Sequence, residues 1–489
     1  MARKESLVDK STRVLLQKAI QGIANRSEKQ LFTMLNLLSK IAPDKDHKQV
    51  LKSIARGFKD GNTSFYKTIL RMLKVAHPEV VKKIINNLIL NEMFFGNKWR
   101  TQWKKDNNLH PPVFLVISPT YACNLNCKGC YAGLYGNRYR LEYELVQRII
   151  REANDMGIYF FTISGGEPFF WRDLFRMLEE FNDSYFLIYT NGTLINKDTA
   201  HRLAELGNAT PAISVEGYEE QTDYRRGKGV FKKIMEAMDN LREAGVIFGA
   251  SITHTSVNHE IITSDEFWDM LIDKGVAYSW IFQLVPVGKD ADDINYMPTP
   301  QQRLERYEAI TRVRNTKPIM IADFWNDGAY VNGCLAGGAK YLHIDAKGYV
   351  EPCVFAHFAV DNIRDKSLKE VLQAPFFKAI RKINPYTKNL LAPCMIIDHP
   401  TILRSFVKKY GAVPTHDGAE TILTTIKDEV DRRAKEWERI SRPVWERDFG
   451  SKGFKATFGV YCVEKGPVLP KEENKESSSK KTEEKSAAT

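Results

Sequence analysis

The sequence predicts an α/β protein: a partial (β/α)6 barrel with an all-helical N-terminal region and a small cysteine-bearing C-terminal extension. Three observations carry that expectation. Six short apolar, β-rich runs alternate with six helical segments across residues 111–317. Residues 1–110 show no clear alternating strand. From about residue 318 the alternation stops, and Gly-rich turns with cysteines take over.

The strand runs are VFLVIS (113–118), YFFTIS (159–164), YFLIYT (185–190), PAISVEG (211–217), VIFGASIT (246–253) and YSWIFQLV (278–285). Helices are expected near 141–155, 171–182, 197–206, 229–244, 261–274 and 300–314. After the first, strand-to-strand spacings of roughly 25–35 residues suit βα units with right-handed crossovers in a parallel sheet. An open barrel is favoured over a doubly wound sheet, although composition by itself does not separate them. In the N-terminal region, Asn62-Thr63-Ser64 caps a helix over Phe65 to Val75. From Pro78 to Phe95, Val81, Ile84, Ile85, Leu88 and Ile89 recur at i, i+3, i+4 spacing and predict an amphipathic helix. A charged helical region is expected over 401–466. The tail 467–489 is Lys/Glu/Ser-rich, lacks aromatics and reads as disordered.

The chain has 489 residues, 43% of them hydrophobic, and a net charge of +11. Residues 1–110 hold 22 Lys/Arg against 9 Asp/Glu, a net +13, so all the excess basicity lies there. A solvated basic face accounts for it; an anionic partner such as a lipid surface or an acidic substrate is the alternative. Nothing points to nucleic acid. No apolar signal segment and no run of about 18 apolar residues is visible, so a cytoplasmic location is expected, with membrane association through residues 1–110 as the variant. Seven cysteines, three of them within eight residues, indicate metal ligation in a reducing compartment instead of a disulfide framework.

Cys123-Asn-Leu-Asn-Cys127-Lys-Gly-Cys130 directly follows the first strand run. A zinc site usually takes four closing ligands in paired units, and no partner pair is present. Three thiolates suit a [4Fe–4S] cluster with one iron left open for a small molecule. CxxxCxxC after the first strand of a βα barrel resembles the signature of the radical S-adenosylmethionine (SAM) superfamily. The resemblance covers roughly residues 113–315. It implies that the open iron chelates SAM and that an electron, delivered by a reduced flavodoxin or ferredoxin, cleaves the sulfonium. The products would be methionine and a 5′-deoxyadenosyl radical that abstracts hydrogen from substrate.

Further motifs sit at later strand ends. Ser164-Gly165-Gly166-Glu167-Pro168 resembles the family's GGEP turn against the SAM amino group; glycine lets the backbone approach a ligand closely. Thr190-Asn191-Gly192-Thr193 resembles the TNG turn. Ser214-Val-Glu216-Gly217 resembles the S-x-D/E-G segment near the ribose and carboxylate. Arg225 and Arg226 lie where the family often has an arginine, and a guanidinium suits the SAM carboxylate; structural ion pairing serves equally well. Gln283 to Pro286 falls where backbone of the sixth strand meets adenine. The residue before the third cysteine, commonly aromatic in the family, is Gly129, with Tyr131 offered as a substitute ring.

A second cysteine group follows. Gly333-Cys334 leads through Tyr341-Leu-His343-Ile-Asp345-Ala-Lys-Gly348-Tyr-Val350 to Pro352-Cys353, with a hairpin around Asp345 to Gly348. The segment resembles the shortened, Twitch-like form of the SPASM extension. It implies an auxiliary [4Fe–4S] cluster on Cys334, Cys353 and Cys394, with zinc as the alternative. Cys462, His399, Asp398 or the substrate itself are the candidates for the fourth ligand.

The class implied is a radical SAM oxidoreductase. The net +13, the amphipathic helices and the aromatics Phe94, Phe95, Trp99 and Trp103 lead us to expect a lipid or hydrophobic metabolite as substrate. A peptide- or protein-modifying maturase is the alternative. A non-catalytic iron–sulfur electron carrier is the third.

Overall fold

The computed structural model describes residues 63–450, together with Asn36, Ser39, Lys40, Lys48 and Lys52. Most of the basic stretch 1–62, Cys462 and the tail 467–489 lie outside the described residues. The six expected strands form as β1 (Phe114–Thr120), β2 (Phe160–Gly165), β3 (Tyr185–Thr190), β4 (Ala209–Ser214), β5 (Gly249–His254) and β6 (Tyr278–Gln283). All pair in parallel with their sequence neighbours. Helices Tyr143–Asp155, Leu174–Glu180, Lys197–Leu206, Val230–Glu243, Asp265–Asp273 and Pro300–Thr316 return the chain between strands. Glu219–Arg226 and His259–Thr263 are additional short helices at strand exits.

The sheet extends past both ends of the expected barrel. β7 (Met320–Asp323) continues it in parallel beside β6; a run of four residues is too short to stand out by pattern. At the other edge, β8 (His343–Ile344) pairs in parallel with β1, β9 (Tyr349–Glu351) turns back against β8, and β11 (Asp361–Asn362) follows β9. The sheet order is β11-β9-β8-β1-β2-β3-β4-β5-β6-β7. No described pairing joins β7 to β1, so the barrel stays open. β10 (Phe358–Ala359) and β12 (Val413–Pro414) make a separate antiparallel pair.

The expected hairpin is therefore part of the main sheet. Asp345 Oδ1 accepts from the Lys347 and Tyr349 amides, and Gly348 supplies φ +92° at the turn. Ser118 Oγ of β1 lies 2.7 Å from His343 Nε2. His343 Nδ1 lies 2.6 Å from Glu351 Oε2, so a buried polar rung fastens hairpin to barrel.

The N-terminal helices hold one surprise. Ser64–Val75 forms with Thr63 as its cap, accepting from the Tyr66 amide at 3.2 Å. Pro78–Lys83 is α-helical, but Ile84–Gly96 is a π-helix. The wider turn rotates the buried face away from the expected stripe. Ile84, Ile85, Leu88 and Ile89 end only half-buried, while Asn87, Leu90, Asn91, Glu92 and Phe95 are buried. The buried polar groups have dedicated partners. Asn87 Nδ2 donates to Asn182 O at 2.8 Å and Ser184 O at 2.9 Å. Arg100 binds Glu92 at 2.6 Å and Gly157 O at 2.7 Å, and Glu92 also accepts the Tyr159 amide.

This face turns aromatic side chains inward. Phe95 is buried and Trp99 stacks on it; Trp99 also meets Tyr159. Trp103 packs against the main core, with Lys369 over its ring. Three of the four aromatics expected to reach a membrane, Phe95, Trp99 and Trp103, are thus used in internal packing. Among the described residues no helix is long and apolar enough to cross a membrane.

Arg100→Met, which leaves Glu92 buried without its guanidinium, is expected to destabilise the chain by about 3 kcal/mol. Adding Glu92→Leu should recover part of that loss. Urea unfolding followed by tryptophan fluorescence provides the measurement; an unchanged midpoint for Arg100→Met would show that the pair fastens nothing.

Candidate iron–sulfur and SAM site

The loop carrying Cys123, Cys127 and Cys130 leaves the C-terminal end of β1, where parallel barrels build their sites. It is seated by the turn after β2. A Cβ on Gly165 (φ +115°) would fall 2.3 Å from Thr120 O, and one on Gly166 would fall 2.4 Å from Ala122 O. Only glycine permits that approach. The Gly166 amide donates to Thr120 O and the Glu167 amide to Ala122 O, both at 2.9 Å. The two glycines thus fix the entrance to the cysteine loop.

Glu167 is buried and faces the next turn. It accepts from Phe169 N, Thr190 Oγ1 and Asn191 N at 3.1, 2.8 and 2.7 Å, and burial pushes its carboxyl up to about 7. Its oxygens thus brace one strand-end turn against another. Pro168 opens the short 3-10 turn that follows. Asn191 reaches the loop: Nδ2 donates to Asn124 Oδ1 at 2.8 Å and lies 3.8 Å from Cys123 Sγ, while Oδ1 accepts from Thr193.

The far side of the loop meets β4, β6 and their exits. Glu216 is buried, receiving Arg225 Nη1 at 2.7 Å and Arg226 Nε at 2.9 Å; its other oxygen accepts the Thr253 amide. Burial opposes its charge, but the two guanidiniums win and hold the carboxyl below its ordinary range. Arg225 O accepts the Lys128 amide at 2.8 Å, and Arg225 Nη2 points to Gly129 O at 3.4 Å. Arg225 Nε is buried with no partner among the described residues. Ion pairing is therefore realised on Arg225, and one of its donors is left without a partner among the described residues. Ser214 is half-buried at the end of β4.

Of Gln283, Tyr131 and Gly129, only Tyr131 departs from the sequence expectation. Gln283 lies on the opposite side of β6 from Phe282 and Trp280, in register with His254. His254 faces Arg306 of the Pro300–Thr316 helix. The Gln283 side chain thus belongs to the helix side, leaving only its backbone at the strand end. Tyr131 cannot serve as a free stacking ring, because its hydroxyl pairs with Ser164 Oγ at 2.8 Å and its ring meets Phe355 and His357. Gly129 has φ +63°, and a Cβ there would lie 3.0 Å from Leu284 and 3.2 Å from Tyr296. Backbone and space both exclude an aromatic at that position.

The inner side of the barrel carries Tyr189, Trp280, Phe282 and Phe324, half-buried and in ring contact. Phe355 joins this band to Tyr131, and its amide lies 3.5 Å from Cys353 Sγ.

Cys334, Cys353 and Cys394 converge on a second, drier place. Cys353 Sγ lies 2.9 Å from the Tyr341 hydroxyl. Cys334 is clamped by Asn384, whose side chain both accepts its amide and donates to its carbonyl. Cys394 Sγ accepts from Ile396 N at 3.4 Å. Burial pushes the Cys353 thiol up to about 11 and that of Cys394 to about 12. In the first loop it takes Cys123 to about 11. Such thiols are protonated at neutral pH until a metal displaces the proton. Among the described residues no three His, Cys, Asp or Glu side chains are gathered as for a single ion. Two separate groups of three thiols fit iron–sulfur clusters better than closed zinc sites, which need a fourth ligand each.

The fourth-ligand candidates fare differently. Asp398 is taken by Arg303 at 2.6 Å and by the Cys394 amide at 3.0 Å. His399 Nε2 lies 2.9 Å from Ala392 O. Sequence reading missed Asn124, Asp290 (which accepts the Gly129 amide at 3.0 Å), Asn384 and Arg303. Each acts through a contact from far along the chain, which leaves no local signature.

Gly166→Ala should displace the first loop while sparing the second cysteine group. Iron after anaerobic reconstitution is expected to drop from about eight to about four per chain. Parent-level iron would contradict the role given to that glycine.

A family model for the radical SAM superfamily matches residues 117–272, and one for the SPASM iron–sulfur cluster-binding domain matches 334–395. The mycofactocin maturase MftC of Mycobacterium ulcerans is 31% identical over 295 residues, covering 57% of this chain and 79% of that protein. An AdoMet-dependent heme synthase of Methanosarcina barkeri is 24% identical, covering 55% and 85%. Streptococcus suis SuiB bound to the precursor peptide SuiA shares the fold, with a TM-score of 0.50 at 21% identity over 61% of this chain and 74% of that one. The chain belongs to the radical SAM superfamily: it is an iron–sulfur enzyme of SAM, extended by a SPASM cluster-binding domain.

Proposed function

We propose that this enzyme modifies a peptide or protein by radical chemistry. We assign the SAM-binding [4Fe–4S] cluster to Cys123, Cys127 and Cys130, and an auxiliary cluster to Cys334, Cys353 and Cys394. When bound, the first cluster and SAM supply a 5′-deoxyadenosyl radical that takes a hydrogen atom from substrate. Gly165, Gly166 and Pro168 shape the loop's seat, with Glu167 bracing it. Asn191 orients Cys123. Arg225, held by Glu216, offers its unpaired Nε–H to the SAM carboxylate. Ser214 and the backbone at Gln283 border the nucleoside. The aromatic inner wall of Tyr189, Trp280 and Phe282 keeps water from the reacting carbon.

The peptide reading rests on the likeness to MftC, a maturase by name, along 79% of that protein's length. The precursor peptide bound to SuiB agrees with it. The lipid reading loses support because Phe95, Trp99 and Trp103 are spent on internal packing. The heme synthase relatives favour a second reading, a step of heme synthesis.

Reconstituted enzyme with dithionite, or with reduced flavodoxin or ferredoxin, is expected to release 5′-deoxyadenosine. Cys127→Ala should lower that release by roughly two orders of magnitude or more, about 2.7 kcal/mol of lost stabilisation. Equal output from the variant would sink the cluster assignment. Co-expression with short reading frames beside its gene, followed by mass spectrometry, tests the substrate. A Cys127-dependent mass change on a peptide supports the proposal; turnover of a heme precursor with unchanged peptides would replace it.

A further inference from the structure

Arg303, on the first turns of the Pro300–Thr316 helix, is buried within the contact between barrel and SPASM region. Every nitrogen of its guanidinium has a partner. Nε donates to Asn326 Oδ1 at 3.0 Å, and Nη2 to Trp325 O at 2.8 Å and Leu391 O at 2.9 Å. Nη1 meets Asp398 Oδ1 at 2.6 Å, and Nη2 reaches Asp398 Oδ2 at 3.3 Å. Trp437 lies under the plane, 4.1 Å from it. Asp398 in turn accepts the Cys394 amide at 3.0 Å through Oδ2. The pair is almost wholly inaccessible, 2% and 1% exposed.

A carboxylate so engaged has no strong reason to leave a guanidinium for iron. Breaking one half of a buried pair typically costs about 3–5 kcal/mol. The same geometry puts one negative and one positive charge, balanced, beside the thiol of Cys394. Charge and hydrogen bonding around the sulfurs are what tune a cluster's potential.

We propose that Asp398 is not a ligand but, paired with Arg303, a positioning residue that fixes the Cys394 turn and sets the charge beside the auxiliary cluster. This rests on the assignment of that cluster to Cys334, Cys353 and Cys394. Asp398→Asn keeps an oxygen for the Cys394 amide and leaves Arg303 uncompensated; Arg303→Met leaves the carboxylate uncompensated. The two changes act on the cluster with opposite sign, which a merely structural role does not produce.

The test uses the full chain with Cys123, Cys127 and Cys130 changed to alanine, so that only the auxiliary site contributes. Iron and sulfide in this parent test the cluster assignment itself; no cluster there fails that reading, and the inference with it. Given a parent cluster, Asp398→Asn should retain the [4Fe–4S] electron paramagnetic resonance signal and raise the midpoint potential. Arg303→Met should lower it, and Arg303→Lys should stay near the parent. If Arg303→Met does not fold, Asp398→Asn against Arg303→Lys decides. A [3Fe–4S] signal or iron loss in Asp398→Asn would make Asp398 a ligand and overturn the proposal. Unmoved potentials, or shifts of the same sign in Asp398→Asn and Arg303→Met, would overturn it as well.

Discussion

The close approach of Gly165 and Gly166 to the Thr120 and Ala122 carbonyls is the constraint on which the rest of the site depends. Two strand ends come so near that a single methyl group would collide at 2.3–2.4 Å. That contact fixes where the chain leaves β1, and therefore where Cys123 begins its loop. The amides of Gly166 and Glu167 complete the contact by donating back to the same segment. A longer side chain at either glycine would push the loop off the sheet.

From that seat, polar groups spread the order outward. Glu167 ties the second strand end to the third, Asn191 ties the third to Asn124 in the loop, and Glu216 holds Arg225, which reaches Gly129. The cysteine loop is thus held from two sides by buried polar groups at the strand ends. In a low-dielectric setting, each satisfied carboxylate resists loss of its partners more strongly than it would in water. The same logic recurs at the second cysteine group, where Arg303 gathers residues 325–326, Leu391 and Asp398.

One sheet connects the first cysteine loop to Cys353 of the second group. The hairpin β8–β9 pairs with β1, the strand that launches the first loop, and Tyr131 beside Cys130 touches Phe355 beyond Cys353. Strands β1 to β6 were legible because their apolar runs are long and alternate with helical segments. β7, with four residues, and the docking of β8 on β1 were not, since neither carries a periodic signal. The Ile84–Gly96 helix was legible as a helix. Its buried face was not, because the π-turn rotates it toward Asn87, Asn91 and Glu92.

The sequence by itself determined the chemistry: three thiols on a short loop after a strand, glycine turns at later strand ends, and three distant cysteines flanking a hairpin. These are local in the chain, and local spacing survives folding. Tertiary structure decided what each side chain does there. It showed Glu167 as a brace, turned Gln283 to the helix side, committed Tyr131 to Ser164 and enclosed Trp99 against Tyr159. It also paired Asp398 with Arg303, a residue 95 positions away. Such outcomes depend on which groups burial forces to find partners, and those partners lie far along the chain.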